Sequence, residues 1–227
     1  RSTLFPYTTL FRSVKLDDRE DQWPDFFEQA PVLRVQDGLA RFLGAAGSGV
    51  LTYRYVDAVR LAGHSCPTVA GAYLMVIKGL RVLYPDELPQ RGEIEVWMNQ
   101  GREDGATGVI ASVATLLTGA AAEQGFAGMG ALQRFGRRNL LRFHVPMQGV
   151  LALRRKDSEQ AVQVLFDGSQ VPWSDPEMPL LIARAVSGQA SAQEQERFSK
   201  NWQARVKAIL VDHVDDPLLI QVIPFNV

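Results

Sequence analysis

Cysteine is nearly absent from this chain of 227 residues. One cysteine stands beside three histidines, and the formal net charge is −1. A single cysteine excludes a disulfide within the chain and fits a reducing, cytoplasmic compartment. The near balance of charge leaves no overall basic field, which argues against nucleic acid as a partner. Long hydrophobic runs are also missing. The apolar stretches are too short or too broken by charge to span a bilayer. The glycine-rich loops hold neither a GxGxxG fingerprint nor a P-loop, so nucleotide binding has no motif behind it. There is no internal repeat and no low-complexity segment.

What is present describes an ordinary globular chain, 46% hydrophobic and 22% charged. Residues 1–13, RSTLFPYTTLFRS, resemble translated sequencing-adapter read-through and are set aside as non-native. The native start is then expected to be missing, and a signal peptide ahead of it stays open. Residues 14–49 read as an N-terminal helical lead-in. Its apolar positions Val32, Val35, Leu39, Phe42 and Leu43 predict a helix starting near Pro31. Residues 50–227 read as one α/β domain with a C-terminal helical extension. Within it, helices are expected over 68–83, 109–122, 178–185 and 192–213. Strands are expected over 50–55, 93–98, 140–145, 150–154, 161–166 and 218–225. The three middle strands predict an antiparallel meander. Ser191 with Glu194 three residues on has the form of a capping box. The apolar stripe Phe198, Trp202, Val206, Ile209, Leu210 predicts a helix that closes the core or makes a homodimer. The expected fold is mixed α+β, with a central, mostly antiparallel sheet and helices packed on it.

The densest chemistry lies in Gly63-His64-Ser65-Cys66-Pro67. Imidazole and thiol are both good zinc ligands. Pro67 suits the first position of a helix. Cys66 then faces the positive helix end, which favours the thiolate. Two ligands do not complete a tetrahedral site, and His144, Asp57, Asp104 and Glu103 are the candidates for the rest. The alternative is a Cys66 that is a small buried hydrophobe and a His64 that is a hydrogen-bonded loop residue. Arg134, Arg137, Arg138 and Arg142 form a local basic cluster able to grip a carboxylate or phosphate. Trp97 and Trp173 read as core or interface anchors.

The GHSCP loop opening a helix at Pro67 resembles the FmdE-like family, named for formylmethanofuran dehydrogenase. The resemblance extends to a strand at 93–98, a loop at 101–108, and a buried helix ending in Thr118-Gly119. Phe135 to Asn139 (FGRRN) and a strand at 140–145 come next. In all it covers residues 50–166. It implies a mixed α/β sandwich, a divalent metal such as zinc on His64 and Cys66, and a site near the arginines. In that site Arg137, Arg138 and Asp104 would meet a small acidic or pterin-like ligand. The chain departs from the family at Ala120, where members often carry a cysteine, and at Ser112 and Thr115, where many have aspartate and glutamine. It departs again at Thr68 in place of glycine, and it lacks the appended cysteine-rich zinc ribbon. The functions in view are a metal-binding accessory or small-ligand module, a stand-alone zinc metalloenzyme, and a degenerate member without a metal.

Overall fold

The computed structural model describes residues 22–226. The stretch 1–13 and the first part of the acidic lead-in lie outside the described residues. After a 3-10 turn at Asp25–Gln29 come β1 (Leu33–Asp37), α1 (Gly38–Phe42), β2 (Val50–Tyr53), α2 (Tyr55–Ala62) and α3 (Pro67–Leu83). Next are β3 (Gln90–Arg91), β4 (Ile94–Met98), α4 (Thr107–Thr118), β5 (Leu141–Arg142), β6 (Leu151–Arg155) and β7 (Ala161–Phe166). The chain finishes with α5 (Met178–Val186), α6 (Ala192–Lys207) and β8 (Ile220–Pro224). The fold is mixed α+β, with sheets of three strands (β2-β1-β3) and five (β5-β4-β6-β7-β8).

The five-stranded sheet is mostly antiparallel, as the sequence predicts. β4, β6, β7 and β8 pair antiparallel in that order. The expected strand at 140–145 is reduced to two residues. It pairs parallel to β4 on the far edge and does not join the meander. Helix α3 lies against β6 and β7, with twelve of its seventeen residues buried. Gly79 sets how close it comes. A Cβ there would lie 2.7 Å from Leu153 Cδ1 and 3.2 Å from Val164 Cγ2, so only glycine admits the sheet this near. Helix α4 packs beside α3 and stops at Gly119, whose φ of 76° lies in the left-handed region.

The expected helix from Pro31 is corrected to a strand followed by a short helix. Leu33 and Val35 are buried while Arg34 between them is exposed, a period of two. β1 pairs antiparallel with β2 and parallel with β3. Asp37 then starts α1 by accepting hydrogen bonds from the Leu39 and Ala40 amides, both at 3.0 Å.

The Ser191–Glu194 capping box opens α6. Its stripe turns inward. Val206, Ile209 and Leu210 are wholly buried, the last two in a π-helical turn at Ala208–Asp212 that extends α6. Among the described residues no helix is long and apolar enough to cross a membrane.

Candidate functional site

The GHSCP loop joins α2 to α3. Gly63 ends α2 in the left-handed region at φ 74°, and its N–H bonds to Val59 O. Cys66 is the N-cap of α3, its sulfur accepting from the Val69 amide at 3.4 Å, and Pro67 is the first helical residue. Helix α6 holds the loop from outside. Ser65 O accepts from Trp202 Nε1 and from Gln203 Nε2, each at 3.1 Å. Ser65 Oγ donates to Gln203 Oε1 at 3.0 Å and is 3.0 Å from the Tyr55 hydroxyl. Burial pushes the Tyr55 phenol far above its ordinary value, more than the Ser65 bond draws it down, so it stays protonated.

His64 is exposed, with Nδ1 2.9 Å from Ala62 O. Cys66 is 8% exposed and belongs to the hydrophobic core. The two side chains therefore meet different surroundings. Among the described residues no group of three His, Cys, Asp or Glu side chains converges on one point. A tetrahedral zinc site takes four ligands, so the described donors do not by themselves complete one here.

The other candidate ligands lie elsewhere. His144 is exposed on the loop after β5 with φ at 57°. It sits over Gly101, where a Cβ would lie 2.6 Å from its ring Cε1 and 2.8 Å from Asp104 Oδ2. Asp104 accepts from the Gly101 amide at 2.8 Å. His144 and Asp104 thus both lie beside Gly101 and not at the GHSCP loop. Asp57 caps α2 by accepting from the Arg54 amide at 2.8 Å.

The four arginines do not act as a cluster. Arg134 covers the rings of Phe42 and Phe135, Arg142 pairs with Glu95, and Arg138 is exposed. Arg137 reaches Asp37, a residue with no mark in the sequence beyond its place before α1. Nη2 of Arg137 donates to both carboxylate oxygens at 2.8 and 2.9 Å, and Arg91 Nη1 donates to Oδ2 at 2.9 Å. Burial alone would push the Asp37 carboxyl up. The Ala40 amide and the two guanidiniums outweigh it and hold the group below its ordinary value.

Two clefts flank α4. The first, about 370 Å³, runs between Leu61 at the end of α2, the α4 residues Ser112 and Thr115, and Phe143 after β5. Arg91, Arg102 and Gln124 supply its polar groups. The second, about 510 Å³, has Asp37, Arg91 and Arg137 among apolar walls of Leu39, Leu43, Leu51 and Phe126. Arg91 and Thr115 line both. Ser112 and Thr115, two of the family departures, thus face a cleft, while Ala120 is wholly buried.

A comparison with curated proteins finds no match. A family model described as "FmdE, Molybdenum formylmethanofuran dehydrogenase operon" matches residues 61–216, from the end of α2 to the turn before β8. That span holds the GHSCP loop, α3, α4 and most of the main sheet, well over half of the residues, and the chain belongs to the FmdE family.

Proposed function

We propose that this FmdE-family chain is an accessory module that binds a small acidic or pterin-like ligand in the clefts beside α4. The observation that carries the reading is the first cleft. It places Arg91, Arg102, Ser112, Thr115 and Gln124 around an apolar floor of Ala111, Leu116, Ala122, Leu141 and Phe143. Its volume of about 370 Å³ lies within the range of small-molecule sites. Apolar area gives a flat ligand body its affinity, and a few convergent polar groups fix its orientation.

The test is thermal stabilisation of the protein by a panel of small organic acids and pterins, repeated on Thr115→Trp. Thr115 is half-buried between the clefts, and an indole there fills them. At least one compound is expected to raise the melting temperature of the parent and to lose its effect in the variant. A panel without any such compound overturns the reading.

One observation favours a second reading. With Nδ1 of His64 engaged by the Ala62 carbonyl, Nε2 is left to bind a metal, the arrangement that orients metal-ligating histidines. The remaining donors would come from a second copy of the chain, giving a zinc-linked homodimer. Elemental analysis together with light scattering decides it. Stoichiometric zinc on a dimer, both lost in His64→Ala, supports it, and a metal-free monomer refutes it.

A further inference from the structure

We infer that Arg137, backed by the charge of Arg91, forms a subsite for a monocarboxylate at the floor of the second cleft; the inference rests on the cleft reading above and names the acidic group it takes.

Charge does not balance on this floor. Asp37 is 2% exposed, and the side chains of Arg137 and Arg91 are 12% and 17% exposed. Among the described residues, Asp37 is the one carboxylate that either guanidinium pairs with. Two cations against one anion leave a single positive charge in excess, largely withdrawn from water. Such a charge is unfavourable unless an anion joins it.

Hydrogen-bond capacity tells where that anion goes. The carboxylate of Asp37 is well supplied, with two amides and two guanidiniums donating to it. Arg91 is also committed, since its Nε and Nη2 donate to Leu116 O near the end of α4 at 3.2 and 3.0 Å. Arg137 is not. Its Nη2 serves Asp37, but its Nε is buried without a partner. Its Nη1 lies beneath Gly119, where any Cβ would collide with it. Gly119 also lines the cleft. Nη1 is thus the donor left for a ligand, and a charge-assisted N–H···O bond from it suits a carboxylate. One excess charge calls for a monoanion, whereas a phosphate dianion would reverse the sign of the site. The walls of Leu39, Leu43, Leu51 and Phe126 call for an apolar body attached to that acid.

The experiment titrates the full chain with benzoate and with its neutral analogue benzamide at low salt, by calorimetry. Benzoate is expected to bind roughly tenfold tighter than benzamide, the scale of a charge-assisted hydrogen-bond pair. Arg137→Lys, which keeps the charge and removes the Nη1 donor, is expected to abolish most of that preference. Leu43 is 61% exposed on the cleft wall, so its substitution does not threaten folding. Leu43→Lys is expected to tighten benzoate several-fold and Leu43→Glu to weaken it, with benzamide unmoved. Equal affinity for benzoate and benzamide overturns the inference, as does a preference indifferent to Arg137→Lys and to the sign at position 43. If panel ligands bind and are blocked by Thr115→Trp while benzoate ignores Arg137, the subsite is wrong and the cleft reading stands. If neither benzoate nor any panel compound binds, both fall.

Discussion

Replacing Asp37 with alanine tests the energetics of the site most directly. The carboxylate does two jobs at once. It caps α1 through the Leu39 and Ala40 amides, and it neutralises Arg91 and Arg137. Losing the cap costs about 1 kcal/mol. Leaving buried charges without their partner costs about 3–5 kcal/mol where burial is complete. Here the guanidiniums are 12% and 17% exposed, and Arg91 keeps its bonds to Leu116 O, so about 2–4 kcal/mol is the better figure. The sum is roughly 3–5 kcal/mol, a large share of the 5–15 kcal/mol that holds a typical domain together. Urea unfolding followed by tryptophan fluorescence reads it as a lower midpoint at unchanged slope. In a thermal scan the drop is about 6–20 °C for a chain of this size. The double variant Asp37→Ala with Arg137→Met removes one stranded charge together with its partner. Its cost is expected to fall short of the sum of the two singles by about 1–2 kcal/mol. An Asp37→Ala cost below about 1 kcal/mol, or strict additivity in the double variant, refutes the reasoning.

The remaining predictions concern pH, the thiol and the loop. Asp37 titrates below its ordinary value of 3.8 in the folded chain. Its contribution is therefore complete above that value and is lost as pH falls beneath it, so the parent loses stability faster than Asp37→Asn in urea melts taken from pH 6 downward. Cys66→Ser keeps an acceptor for the Val69 amide and is expected to change stability little, whereas Cys66→Val loses the cap and costs about 1 kcal/mol by the same melts. Because Cys66 is 8% exposed, a thiol reagent is expected to label it slowly in the native protein and fully in urea. Gln203→Ala removes bonds to both Ser65 O and Ser65 Oγ, so amide exchange at residues 63–66 is expected to accelerate while β6 and β7 keep their protection.

Long periodic segments were legible in the sequence, and contacts between distant segments were not. Helix α3 announced itself through Pro67 and an apolar face wide enough to be buried nearly all round. α6 announced itself through Ser191 and Glu194. β1 was hidden because Val32, Val35, Leu39, Phe42 and Leu43 mimic a helical period. The true alternation of Leu33, Val35 and Asp37 spans five residues, too few to outweigh it. The arginine segment misled for a different reason. Gln133, Phe135 and Asn139 take positive φ, and each turn sends the next arginine in a new direction. Neighbours in sequence thus serve Phe42, Asp37 and Glu95 separately. The GHSCP motif fixed a helix start correctly. Its anchoring to Trp202 and Gln203 crosses more than a hundred residues, and no spacing rule reports it.

The ion pair between Asp37 and Arg137 also bears on folding kinetics, since one hundred positions separate its ends. Closing so large a loop carries an entropic penalty that is recovered only when both segments already have a surface to dock on. The pair should therefore lock after the barrier has been crossed, once α3 and the meander have condensed. Weakening it is expected to quicken the unfolding arm of a chevron and leave the refolding arm almost unmoved, so that this contact governs how long the native molecule survives and has little say in how fast it is born.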